Sequence, residues 1–155
     1  ILLYKMIWDI EDSKENRINN TLYKADFEYI DERKIKKIKN KFKVILMGID
    51  NVGKSSIFSN ISNKIYSNSS NSDLINESIY FKANINDKVF YVQLCDTKSN
   101  EEPLINQNQF KNVSLAIFVY SIDDKRSFKK IGQLYNILNK NNVDSIKFLL
   151  GIKVI

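Results

Sequence analysis

The chain has 155 residues, 43% hydrophobic and 27% charged, which suits one globular domain with a buried core. Its single cysteine, Cys95, excludes an internal disulfide framework, and the absence of histidine excludes His-based triads, His general bases and a Cys/His zinc site. The formal net charge is +6, but Lys34, Lys36, Lys37, Lys39, Lys41 and Lys43 read as a solvated helix face, and with few arginines no nucleic-acid partner is expected.

In chain order, residues 1–10 are apolar but broken by Lys5 and Asp9. They are too short to span a membrane, and they lack the basic flank and small-residue cleavage site of a signal peptide. Residues 1–40 are expected to be an N-terminal extension, partly helical or disordered. A helix is expected within residues 22–39, where Leu22, Phe27, Ile30, Ile35 and Ile38 fall roughly on one face. The main domain is expected over residues 41–155. It starts with a buried strand, Phe42 to Met47, that ends at Gly48. A helix follows over residues 54–62, then a Ser/Asn-rich loop over 63–76. Two alternating runs, residues 78–85 and 88–96, flank Asn86-Asp87 and predict a tight hairpin. Residues 97–112 are polar, with room for a short helix. Residues 115–120 read as a second buried strand. Asp123 and Asp124 open a helix to about residue 139, with Phe128, Ile131, Leu134, Tyr135 and Leu138 on one face. Residues 146–151 form the last strand. Strand–helix alternation around one hairpin implies an α/β fold with a mostly parallel sheet and helices on both faces.

The chemistry is carried by Gly48-Ile49-Asp50-Asn51-Val52-Gly53-Lys54-Ser55, which fits G-x-x-x-x-G-K-[ST]. Glycines let the backbone curve around an anion. Successive N–H groups then face inward, and the helix that starts there adds its dipole. Lys54 is placed to reach the β- and γ-phosphates, and Ser55 to offer its hydroxyl to Mg²⁺. Asp96, at the end of a strand, is placed to hold the same cation through water.

With these residues in place, the chain from about residue 42 to 153 resembles the Rab-type small GTPases of the Ras superfamily. Residues 42–48 look like their first strand. Gln93-Leu94-Cys95-Asp96-Thr97 matches the third strand and the start of switch II, and residues 118–122 with Ser127-Phe128 match the fourth strand and next helix. The resemblance implies a Ras-like P-loop NTPase fold and a GTP/GDP switch in vesicle trafficking. It implies Mg²⁺ at Ser55 and Asp96, and nucleotide contacts from Gly48, Asp50, Asn51, Val52, Gly53, Lys54, Ser55, Ser56, Ser99 and Lys153. Effectors and regulators are expected at residues 63–77 and 97–112, in a cytoplasmic protein able to associate peripherally with endomembranes.

Several family positions differ. No threonine lies between Ser55 and Thr97, so the switch I metal ligand has no counterpart beyond Asn76 or Ser78. The family's D-T-A-G-Q-E is Asp96-Thr97-Lys98-Ser99-Asn100-Glu101 here. Ser99 replaces the γ-phosphate glycine. Asn100 replaces the water-positioning glutamine and is one methylene shorter. Catalysis by Asn100 with Lys54 is therefore expected to be slow, because phosphoryl transfer depends on positioning. Asp50 places a carboxylate beside the γ-phosphate. The guanine-binding N-K-x-D motif has Ile152 and Ile155 at its Asn and Asp positions, leaving only Lys153. Isoleucine accepts no hydrogen bond, so base discrimination is expected to fall. The family's sixth strand, last helix and prenylated cysteines find no counterpart in these residues, so the sheet is expected to lack its last strand and helix. A pseudo-GTPase scaffold and a P-loop NTPase of relaxed base preference are the competing readings.

Overall fold

The structure is a computed structural model that describes residues 25–66, 77–85, 87–97, 107–141 and 144–153. Ten elements follow one another: β1 (Ala25–Tyr29), α1 (Glu32–Ile35), β2 (Phe42–Met47), α2 (Lys54–Tyr66), β3 (Ser78–Ile85), β4 (Lys88–Asp96), a 3₁₀ turn (Gln107–Phe110), β5 (Leu115–Ser121), α3 (Lys125–Asn141) and β6 (Ile146–Ile152). The six strands form one sheet in the order β1-β3-β4-β2-β5-β6. β2 pairs in parallel with both β4 and β5, and β5 pairs in parallel with β6. The expected hairpin is present as antiparallel β3 and β4, and Asp87 adopts the positive φ of 64° that such a tight turn needs.

Apolar side chains on the two faces of the sheet build two cores. One joins Val44, Leu46, Leu94 and Ile117 to Ile57, Phe58, Ile61 and Ile65 on α2. The other joins Ile45, Met47, Ala116 and Phe118 to Leu138, Ile131, Leu134 and Ile137 on α3. β2 and β5 contribute to both cores, so residues 44–47 and 115–119 are continuously apolar rather than alternating.

Three sequence expectations need correction. The helix expected within residues 22–39 is, over the described part, strand β1 followed by the one-turn α1. Asp26-Phe27-Glu28-Tyr29 alternates with period two. Phe27 stacks edge-on against Phe81, and Tyr29 meets Tyr66. The backbone of β1 pairs antiparallel with β3, whose edge groups would otherwise lack sheet partners. Ile35, fully buried, anchors α1, and the Asp31 carboxylate caps it by accepting from the Arg33 N–H at 2.7 Å. Residues 25–35 are thus built into the same sheet and core as the rest. The second correction concerns α2, which continues through Tyr66 rather than ending at residue 62. Ile65 is 1% exposed, and that burial outweighs the weak helix propensity of the Ser/Asn-rich sequence. The third concerns α3, which packs through Ile131, Leu134, Ile137 and Leu138, while Phe128 and Tyr135 are 52% and 42% exposed. Within the sheet, β1 adds to the β3 edge, across from β6. The described part of the extension does not cover the β6 side.

Candidate functional site: a phosphate loop at the carboxyl edge of the parallel strands

β2, β4, β5 and β6 run in parallel and end on the same edge of the sheet. In open α/β sheets that edge is where ligands bind. β2 ends at Met47, and the loop Gly48–Gly53 turns directly into α2. Gly48 is buried beside β5, where an added Cβ would collide with the Val119 carbonyl oxygen, so only glycine lets the loop start so close to the sheet. Asn51 and Gly53 have φ of 62° and 90°. These left-handed residues curl the loop into the first turn of α2, and N–H groups exposed along such a bend can form an anion nest.

Lys54 is 5% exposed, and its Nζ donates to the Ile49 carbonyl across the loop at 2.7 Å. Burial pushes the Lys54 ammonium below its usual pKa, while the Asp96 and Asp50 carboxylates hold it up. The cation is therefore kept inside the loop next to the expected phosphate position. Asp50, Asn51, Ser55 and Ser56 are exposed at its mouth, and Val52 is buried beneath it.

Asp96 comes into place through strand register. Leu46 lies opposite Asp96, and the Thr97 hydroxyl and N–H both bond to the Leu46 carbonyl. This clamp locks the end of β4 against the start of the phosphate loop. Thr97 was part of the sequence match without a role, and only the pairing of β4 with β2 gives it one. Ser55 Oγ donates to Asp96 Oδ2 at 2.7 Å, joining residues 41 positions apart. The second oxygen, Asp96 Oδ1, is buried without a hydrogen-bond partner. An orphaned carboxylate oxygen next to a hydroxyl is a fitting half-shell for a hard divalent cation. Among the described residues no three His, Cys, Asp or Glu side chains gather into a protein-only metal site. Ser55 and Asp96 would thus hold Mg²⁺ jointly with phosphate oxygens, the usual arrangement for that ion. Bound there, the cation would supply charge neutralisation for the phosphates.

The remaining sequence candidates fall elsewhere. Ser78 donates its hydroxyl to Cys95 Sγ at 3.3 Å, so it is engaged within the sheet rather than offered to a cation. Asn76, Ser99, Asn100 and Ile155 lie outside the described residues, as do residues 67–76 and 98–106 of the two expected partner-binding segments. The base side of the site is described up to Lys153, which is exposed just beyond β6. Ile152, the last residue of β6, pairs with Ser121, and its carbonyl accepts from the Ile122 N–H at 2.9 Å. Its side chain fills the space over Gly53, where an added Cβ would stand 2.5 Å from Ile152 Cδ1. Ser127 braces this corner. Its Oγ accepts from the Ser121 N–H at 3.0 Å and donates to the Asp124 carbonyl at 2.6 Å.

A strand, a glycine loop closing on a buried lysine and a helix define a P-loop nucleotide-binding protein. The Ras family model matches residues 43–154, well over half of the chain, and the chain belongs to the Ras family. It is therefore a small GTP-binding protein by family.

Proposed function

We propose that this chain is a Rab-like GTP/GDP switch of vesicle trafficking that hydrolyses GTP slowly. The observation that carries the switch reading is the join between the phosphate loop and β4. Ser55 and Asp96 are hydrogen-bonded, one Asp96 oxygen is left over, and Lys54 is buried beside them. In this reading the loop amides and Lys54 bind the phosphate tail. Ser55 and Asp96 orient the Mg²⁺ that accompanies it. Residues 63–77 and 97–112 would present the nucleotide state to effectors and regulators.

Slow hydrolysis rests on Asn100 and Ser99 at the water-positioning and γ-phosphate positions, and on Asp50 at the mouth of the loop. A carboxylate there repels the γ-phosphate and crowds any incoming arginine. Titration with fluorescent GTP and GDP, with and without Mg²⁺, followed by single-turnover hydrolysis, tests the proposal. Tight Mg²⁺-dependent binding with hydrolysis well below ordinary Rab rates is expected. Binding that is indifferent to Lys54→Ala would overturn the switch, and ordinary Rab rates would overturn the slow step.

A second reading, relaxed base preference, is favoured by Ile152. Its methyl group lies over Gly53 where the family places a hydrogen-bonding asparagine. An apolar group there can pack against any purine but distinguishes none. ATP competing with GTP within about tenfold supports this reading, and a guanine preference of several orders of magnitude removes it.

A further inference from the structure

The segment that joins β1 to β2 crosses β3 and β4 on the face away from α2. Glu32 accepts from the Tyr80 hydroxyl at 3.5 Å, and Lys34 and Ile38 line one cleft with Lys82 and Tyr91. Tyr80, Lys82 and Tyr91 alternate with Phe81 and Val92, which pack into the α2 core. Ile35 is fully buried under this segment, and only one turn of it is helical, so its lysines lie along a crossing strip rather than on a helix face. Six lysines and Arg33 fall within residues 33–43, and no carboxylate does. Asp31 and Glu32 answer Arg33 and Lys36, and Lys43 donates to the Lys111 carbonyl. Lys34, Lys37 and Lys39 are exposed and Lys41 is half-exposed, and these four form no ion pair among the described residues. The strip ends at Phe42, where β2 begins, roughly 20 Å along that strand from Gly48. Exposed Lys111 adjoins it there, Lys88 opens β4 at the same end of the sheet, and Lys140 lies in the last turn of α3, which returns to that end. Asp26, Asp87 and Asp144 also lie at this end, outside the strip.

We propose that this strip docks the protein on a membrane surface rich in anionic lipid, leaving the phosphate loop at the end of the sheet that faces solution. Charge complementarity selects this occupant. A cluster of lysines is drawn to anionic headgroups, and each one that reaches the surface raises binding by about fivefold. A lysine is a point charge on a flexible stem, which suits a fluid array of headgroup phosphates. Base reading and bidentate phosphate clamps favour arginine instead, and the one arginine of the strip is held by Asp31. The charge is also spread over one broad end of the sheet, the shape a bilayer meets, rather than gathered into a groove that tracks a nucleic-acid strand. Exposed charges are screened within about 8 Å at physiological salt, so docking of this kind is reversible and salt-sensitive. The proposal does not rest on nucleotide binding.

Sedimentation of the full chain with lipid vesicles tests this. Binding is expected to phosphatidylcholine vesicles that contain about 30% phosphatidylserine and not to phosphatidylcholine alone, and it should fall at least about tenfold between roughly 0.1 and 0.5 M salt. Lys37→Gln with Lys39→Gln and Lys41→Gln should weaken it by about 100-fold while leaving the thermal midpoint and the GTP titration unchanged. Lys125→Gln with Lys129→Gln and Lys130→Gln removes the same charge from the first turns of α3, at the other end of the sheet, and should weaken it by less than about threefold. In the unmodified protein, acetylation of Lys37, Lys39 and Lys41 by a water-soluble ester, read by mass spectrometry, should slow several-fold on the anionic vesicles, while that of Lys129 and Lys130 should not. This last measurement needs no variant. Absence of binding, equal binding to neutral and anionic vesicles, equal losses in the two triple variants, or unchanged acetylation of the strip would each overturn the proposal. Tighter retention by double-stranded RNA than by the vesicles at the same salt, lost with the same three lysines, would make nucleic acid the partner and overturn it too.

Discussion

In the proposed reading, the two ends of the sheet's carboxyl edge differ in how recognition is built. At the phosphate end, recognition is mostly backbone. It needs two glycines, one left-handed asparagine and a helix start, and all are present, with Lys54 buried in the loop and Ser55 hydrogen-bonded to Asp96. At the base end, recognition would rest on side chains at and just beyond the end of β6. There Ile152 packs over Gly53 and offers no side-chain hydrogen-bonding group. An isoleucine there fills space against the loop without accepting or donating a hydrogen bond through its side chain.

That contrast can be broken or sharpened in four ways. The largest expected effect is Lys54→Ala, which should weaken triphosphate binding by about 100-fold in fluorescence titration, the size of a lost charge-assisted contact. A drop of the same size for GTP and ATP would place the affinity at the phosphate end. Next, Gly48→Ala should destabilise the protein by about 2 kcal/mol in urea unfolding, because the new Cβ meets a main-chain carbonyl in the middle of the sheet. An unchanged midpoint would mean that the loop is looser than its geometry indicates. Third, Ile152→Asn combined with Ile155→Asp should raise the GTP-over-ATP preference by about tenfold in competition titrations, since it restores acceptors for the guanine donors. No gain would show that base preference is set elsewhere.

The smallest effect concerns pH. Burial sets the folded-state pKa of Lys54 below its unfolded value. Between those two values the unfolded chain binds the extra proton, so this group's contribution to stability rises as pH increases through the folded pKa. Nucleotide-free wild type should therefore gain stability relative to Lys54→Met as the pH is raised from neutral to alkaline, measured as the difference in urea midpoints. A difference that is flat with pH would mean that the ammonium is better solvated than its burial implies.

The phosphate loop was legible because its requirements are local. Its glycines, lysine and serine lie within eight residues, and the strand before and helix after them have clear periodicity. Asp96 was legible by its strand-end position, and the β3–β4 hairpin by alternation around Asn86-Asp87. The N-terminal strand was not. Phe27 and Tyr29 acquire a strand role only because Phe81, Tyr66 and the open edge of β3 await them. α2 ran past its expected end for a similar reason: Ile65 finds a core that the sequence around it does not announce. Ser78 looked like a spare hydroxyl until its register placed it opposite Cys95.

The sequence by itself determined the glycine loop between strand and helix and the parallel strands that carry it, because each depends on residue identity over a few neighbouring positions. Only the tertiary structure decided that Ser55 and Asp96 meet, that Thr97 clamps β4 to β2, that Ile152 lies over Gly53 and that residues 25–29 extend the sheet. Those facts depend on which strands become neighbours and in what register, and pairing across dozens of residues is set by the whole core rather than by any local stretch of chain.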